Sequence, residues 1–276
     1  GPGSQGTIGG MDDPDLKLLL GAIILIIFGV IGWTYRDELF PSEEYVPAVE
    51  VPARAEPEAE PGPRHPVPTP APITHEAREL VPLPPLDDSD AYFLLEIGST
   101  LGPVVESLLV REAVIDRLVT TIDNLPRNHV SEKIRPVGRL AQTFRPDTFD
   151  DVITLGPANF SRYDDLVAQI AGADVDAIAD LYQRFYPLFQ QSYERLGYPD
   201  AYFNDRLVEV IDHLLETPTP GEPVRLVRPN VLYEFADTDL ESLSSGQKLL
   251  LRMGPANAET VKGSLREFRS QLVAER

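Results

Sequence analysis

The sequence predicts a mainly helical α+β domain with a few short strands, residues 87–276, carried behind an N-terminal transmembrane helix and a proline-rich disordered tether. Three observations lead there. Leu18 to Trp33 is an apolar run without a charge. Residues 37–86 collect proline and glutamate, and 13 of the chain's 27 prolines fall between Pro41 and Leu86. From Asp87 onward apolar residues recur with the helical period, interrupted by two short β-branched stretches.

The first ten residues, "GPGSQGTIGG", read as a cleavage scar and linker, so Met11 is the expected natural start and residues 11–36 the membrane anchor. In "LKLLLGAIILIIFGVIGWTY", 20 residues at ~1.5 Å each reach roughly across a 30 Å hydrocarbon core. Trp33 and Tyr35 sit where an aromatic belt forms, and Lys17 and Arg36 bracket the run. A buried core helix of this length would show a polar face. A signal peptide would have a shorter apolar run and an A-x-A site close behind it. Membrane contact is therefore expected through residues 18–35. Gly21, Ala22, Gly29 and Gly32 are small enough for two such helices to pack, which leaves homo-oligomerisation open. Lys17 against Arg36 is a tie, so flanking charge does not orient the chain.

The tether, residues 37–86, includes "PARAEPEAEPGPRHPVPTPAPITHEAREL". Proline lacks an amide donor and glutamates repel one another, so the segment is expected to stay solvated. At ~3.1 Å per residue, the 46 residues from Pro41 to Leu86 would reach on the order of 140 Å. "HEARE" begins like a zinc-protease H-E-x-x-H, but Glu79 stands where the second histidine belongs, so His75 is expected to be an exposed linker residue.

Charge and cysteine content exclude several function classes. The net charge is −20, of which −12 falls on residues 87–276. Such a surface repels phosphate backbones, so no nucleic-acid partner is expected. Without cysteine there is no disulfide, thiolate metal site, cysteine nucleophile or lipoprotein anchor.

In the domain, Ser89 or Asp90 can cap a first helix. "REAVIDRLVTTIDNL" carries Val114, Ile115, Leu118, Val119, Ile122 and Leu125 at helical spacing, and Pro126 closes it. An irregular stretch to Phe149 precedes "DDVITLG", a short strand, and helices resume at Ser161. "DVDAIADLYQRFYPLFQQSYERLGY" places Tyr182, Phe185, Tyr186, Phe189 and Tyr193 on one helical face with Ile178 and Leu196. That face reads as core rather than as a sugar-stacking platform, and Pro187 is expected to kink or split the helix. "PVRLVRPNVLYEF" reads as a second β segment, interrupted by Pro229, able to pair with "VITL".

"LSSGQKLLLRMGP", Leu243 to Pro255, opens like the L-S-G-G-Q signature of ATP-binding-cassette ATPases. Those enzymes need a G-x-x-x-x-G-K-[ST] phosphate cradle. The domain's lysines are Lys133, Lys248 and Lys262, and none follows a glycine. The stretch is read as a helix whose Leu249, Leu250 and Met253 face the core, ended by Gly254, with Pro255 opening the next. No G-x-S-x-G or G-x-G-x-x-G occurs.

"YFNDRLVEVIDHLLETP" is the candidate site. Asp205, Glu209, Asp212 and His213 fall within nine residues, and Glu209 and His213 have the i, i+4 spacing that can share a metal. The helical wheel argues otherwise. Phe203, Leu207, Val210, Ile211 and Leu214 form the core face, Asp205, Glu209 and Asp212 lie opposite in solvent, and His213 is lateral beside Arg206. No metal, cofactor or catalytic residue is assigned. The four polar residues are instead a partner-binding surface, with His129 joining only if the fold brings it there.

From "LPPLDDSDAYF" onward the chain resembles a bacterial family, domain of unknown function 3014. "TTIDNLPRNHV", "GPANFSRYDDLV", "LYQRFYPLFQQSYERLGYP", "YFNDRLVEVIDHLLETP", "LVRPNVLYEFAD" and "SSGQKLLLRMGPANA" carry the resemblance. It implies a single-pass inner-membrane protein of Gram-negative bacteria with a proline-rich tether before a helical domain; it carries over no activity. The N-terminal layout is also similar to that of division-ring anchors, whose domain is cytoplasmic. The expected role is a non-enzymatic periplasmic binding or adaptor module, tethered to the membrane and engaging an unknown protein of the cell envelope. The acidic tether, the lack of cysteine and the resemblance favour the periplasm. Two readings stay open: a carboxylate- or metal-dependent envelope hydrolase, and a cytoplasm-facing membrane adaptor.

Overall fold

The structure, a computed structural model, describes residues 62–68, 82–102, 105, 106, 109–128, 136, 144–172, 174–221, 223–229 and 233–273. The apolar run 18–35, most of the tether and His129 lie outside the described residues, and among the described residues no helix is long and apolar enough to cross a membrane. A 3-10 turn, Leu86–Asp88, leads into α1 (Asp90–Leu101) and α2 (Val114–Asn124). Strands β1 (Asp147–Phe149) and β2 (Val152–Leu155) precede the single turn α3 (Pro157–Phe160), which passes through a second 3-10 turn into α4 (Asp164–Ala171). Then come α5 (Val175–Arg195), α6 (Phe203–Leu215), β3 (Val224–Val227), β4 (Glu234–Phe235), α7 (Thr238–Glu241), α8 (Ser245–Met253) and α9 (Pro255–Leu272). The domain is mainly helical, α+β, with one small antiparallel sheet.

Helix α5 is the axis of the core. Asp174 caps it by accepting the Ala177 amide at 3.0 Å. Its aromatic face is core, as the spacing predicts: Ile178, Tyr182, Phe185, Phe189 and Tyr193 are buried and Tyr186 is half-buried, but Leu196, past the end of the helix, is exposed. Phe93 of α1 meets Phe185 edge-on at 4.9 Å, and Phe203 of α6 stacks on Phe189 at 5.7 Å. Helices α1, α2, α6 and α9 all pack on α5, and α9 also contacts α4, α6 and α8. Pro187 does not split the helix. It sits on the exposed side of a continuous 21-residue element, where water can serve the carbonyl left without a donor.

The caps differ from expectation. Neither Ser89 nor Asp90 caps α1 with its side chain. Ser89 turns back to Leu86, and the Asp90 carboxylate accepts the Ala113 and Val114 amides at 2.7 and 2.8 Å, capping α2 from a different helix. The expectation failed because the first orphan amides of α2 lie within reach of Asp90, and local spacing cannot show that.

The pairing of "VITL" with "VRLV" is present: Ile153 faces Leu226 and Leu155 faces Val224 in an antiparallel register. The sheet order is β1-β2-β3-β4. The stretch expected to be irregular contains β1, joined to β2 through Asp150 and Asp151 at φ 46° and 61°, left-handed positions that a short polar side chain tolerates. Helices resume at Pro157 rather than Ser161. The inner sheet face, Leu155, Val224, Leu226 and Phe235, packs on Leu251 of α8.

The "LSSGQ" stretch is a helix start. Ser244 and Gln247 form a reciprocal capping box on α8. Leu249, Leu250 and Met253 are buried, Gly254 ends the helix at φ 84°, and Pro255 opens α9. A Cβ on Gly246 would stand 2.6 Å from the Leu214 side chain and 3.3 Å from the Leu125 carbonyl. Gly246→Ala should therefore cost ~1–3 kcal/mol by overpacking. Gly263→Ala, in α9 with nothing within 4 Å, should gain ~0.5–1 kcal/mol. Urea denaturation of the two variants checks the contrast, and equal effects would mean that α8 does not seat as described.

The buried tyrosines set an alkaline limit. Burial pushes Tyr186 and Tyr193 up to about 12 and Tyr182 well above its usual value. Unfolded phenols titrate near ~10. The unfolded chain thus loses protons first, and the stability held by neutral phenols is intact below pH ~10 and lost as pH rises through about 12. Melting temperature should fall over that window, with tyrosinate absorbance appearing together with unfolding. Tyrosinate forming fully before any loss of structure would refute the burial.

Candidate functional site

The start of α6 is where core packing puts polar groups under tension. Phe203 is fully buried against Phe189, so the next two residues enter the domain with it. Asn204 is fully buried. Its Oδ1 accepts the Tyr182 hydroxyl at 3.0 Å, and its Nδ2 donates to the Leu272 carbonyl at 3.1 Å. Asp205 follows in the first turn, where an anion is favoured by the helix dipole, and it is 7% exposed.

What buries Asp205 is the tether. Residues 62–68 lie on α6, and the chain bends at Arg64 and His65. That bend turns two consecutive amides toward one carboxylate. Arg64 N–H donates to Asp205 Oδ2 at 2.9 Å and His65 N–H to Oδ1 at 2.6 Å. Asn204 Nδ2 donates to the His65 carbonyl at 2.8 Å, and the Arg64 guanidinium pairs with Glu209. Pro63 and Pro66 flank the pair and have no amide, so Asp205 takes every N–H between residues 63 and 66. His65 and Val67 are half-buried, while Arg64 and Pro66 face solvent.

Magnitudes place this docking near balance. Two bonds to a carboxylate contribute ~1.5–3 kcal/mol each and the Asn204 bond ~1 kcal/mol. The exposed Arg64–Glu209 pair adds at most ~1 kcal/mol. Ordering Gly62, Arg64, His65 and Val67 costs ~1–2 kcal/mol each, since the intervening prolines have φ fixed already. The two sides are of similar size, which makes the contact reversible.

The remaining residues singled out in the sequence go elsewhere. Glu209 is shared between Arg64 and Arg206. Arg206 in turn donates from Nε to the buried Asp123 carboxylate at 2.8 Å, which also accepts Arg127 at 2.8 Å. Asp212 holds Arg269 of α9 through two bonds, 2.5 and 2.9 Å, and this contact raises the guanidinium further above its usual range. His213 is half-buried and its Nε2 lies 2.8 Å from Ser244 Oγ, while its carbonyl accepts Gln247 Nε2 at 3.1 Å. Glu209 and His213 therefore have separate partners, and among the described residues no three histidines or carboxylates group as a metal site. Asp205 corrects the helical wheel: it is not solvated, because a segment 140 residues earlier in the chain covers it. Asn204 and the docked segment escaped the sequence reading altogether. The signal that could have found them is Pro63-Arg64-His65-Pro66, the only P-basic-x-P in the chain.

A second concavity of about 640 Å³ opens between the β1–β2 hairpin and the start of α9, lined by Asp147, Ser161, Asp164 and Asn257 among others. Asn257 bonds Asp164 at 3.0 Å and the Phe160 carbonyl at 3.2 Å and so ties the two walls together, while Ser161 bonds within its own turn.

The profile of the family described as "Protein of unknown function (DUF3014)" matches residues 114–269, more than half of the chain and all of α2 to α8. No curated protein and no solved structure matches the chain.

His213 separates a structural from a metal-binding reading of α6. His213→Ala should cost about 1 kcal/mol, the size of one lost neutral hydrogen bond. Leu214→Ala in the core should cost ~2–5 kcal/mol. A chelator should leave the melting temperature unchanged. Stoichiometric zinc in the purified protein, or a His213 variant less stable than the Leu214 one, would make the helix a metal site.

Proposed function

The chain belongs to the DUF3014 family, and on that premise we propose that it is a membrane-tethered, non-enzymatic binding module that engages a protein partner in the cell envelope. Residues 18–35 anchor it in the bacterial inner membrane, residues 37–86 give it reach, and the helical domain acts from the periplasm. One observation carries the binding reading: Asn204, Asp205 and Glu209 already hold a peptide by its main chain and one cationic side chain. Main-chain capture is how protein modules read short segments, and it requires no reacting group. Absence of cysteine suits an oxidising compartment.

Two measurements test this. A reporter active only outside the cytoplasm, fused after Arg276, should be active. Activity of a cytoplasmic reporter instead moves the module to the other side of the membrane. The full chain, purified from detergent-solubilised membranes, should retain an envelope protein in stoichiometric amount. Its recovery should fall at least ~10-fold with Glu209→Lys, a partly exposed change worth ~1.4 kcal/mol on that scale. Recovery indifferent to Glu209 would remove the α6 surface from the proposal.

A further inference from the structure

We infer that the α6 edge formed by Asn204, Asp205 and Glu209 is a receptor for a proline-flanked dipeptide whose first residue is basic, P-basic-x-P, and that residues 62–68 are its built-in competitor. The inference rests on the binding-module reading and names the ligand class of that module.

The recognition is legible atom by atom. Asp205 presents two acceptor oxygens to two adjacent amides, so neither central residue can be proline. The flanking prolines remove competing donors and stiffen the bend, which lowers the ordering cost on binding. Glu209 asks for a cation at the first central position. The second central side chain is left to the half-buried environment of His65, and its carbonyl is read by Asn204. Asn204 is itself fixed by Tyr182 and the Leu272 carbonyl, so this edge is built on core elements. An acidic edge on a domain of charge −12 also attracts a basic segment at long range.

The competitor sits on the same chain, a short span before the domain. Tethering puts it at an effective concentration of about millimolar. A partner segment must outcompete it, and release of the tether changes the geometry of the anchor. With the segment docked, residues 37–61 separate it from the apolar run; once it is released, residues 37–86 do. Partner capture and reach from the membrane are thereby coupled.

The test uses the full chain in detergent and a labelled peptide of residues 61–70, followed by fluorescence anisotropy. Arg64→Pro with His65→Pro removes both amides and the cation from the tether without touching the core. This emptied chain should bind the peptide one to one. The wild-type chain should bind it ~10–100-fold more weakly, the ratio expected when a millimolar internal ligand competes at a site of ~10–100 μM affinity. A peptide with proline at both central positions should not bind. Glu209→Lys should weaken binding of the native peptide and restore it for a peptide carrying glutamate in place of Arg64. Equal affinity of the two chains overturns the internal competitor, and binding of the all-proline peptide or of neither overturns the ligand class. A wild-type chain that dimerises through residues 62–68 makes the occupant a second copy and also overturns the internal arrangement. If the peptide fails while an envelope partner still co-purifies with the emptied chain, the ligand class falls and the adaptor reading stands. If the peptide binds as expected and no partner is found, the reverse holds.

Discussion

Phe203 stacked on Phe189 decides where α6 begins, and the location of that first turn decides much else. An aromatic ring buried to 0% exposure cannot move without opening the core between α5, α6 and α9. Asn204 and Asp205 are its neighbours in the chain and must come with it. Asn204 is then fully buried, and Asp205 is brought to the edge where residues 64 and 65 cover it. Burying an amide or a carboxylate without partners costs several kcal/mol. The fold meets that demand for Asn204 from within the domain, through Tyr182 and Leu272. For Asp205 it does so from outside the domain, through two amides of the tether. Among the described residues both amide donors to the Asp205 carboxylate come from residues 64 and 65, and that contact is the basis of the binding proposal.

The acidic balance of the chain shapes which arginines can be spared. Arg206 is held twice by Asp123, through the carboxylate and the main-chain carbonyl, and so braces α6 against α2. Arg269 is held twice by Asp212 and braces α6 against α9. These forks fix both flanks of the helix, leaving the edge formed by Asp205 and Glu209 to face the tether. The position of that edge is thus set by charge pairs that lie beside it, and the cation paired with it, Arg64, is the most exposed member at 65%. Exposed pairs contribute little net free energy. The Arg64–Glu209 pair therefore adds little to the strength of the docked contact.

Much of the fold was legible in the sequence because helical periodicity reports local geometry. The aromatic face of α5, the apolar face of α6, the partnership of β2 with β3 and the stop at Gly254 all follow from spacing and from turn chemistry. The reading failed where a partner lies far away in the chain. Asp90 looked like a cap for its own helix and caps another. Pro187, expected to kink or split α5, does not split it, and its side of the helix is exposed. The acidic residues of α6 were recognised as a surface, but the wheel assigned Asp205 to solvent, since a wheel knows only the faces of one helix. Asn204 gave no signal of its own, and its neighbours in the tether looked like uniform proline-rich spacer.

That spacer is not uniform in the property that matters. Along residues 61–72 prolines alternate with single residues except at Arg64-His65, the one adjacent pair of amide donors in the run. Proline at either position would leave an oxygen of Asp205 without its donor, at a cost of ~1–3 kcal/mol. A spacer selected only for length would tolerate proline there as elsewhere. The break in the proline pattern and the buried carboxylate of Asp205 are two halves of one contact. Each is ordinary alone, and together they seat residues 64 and 65 on α6.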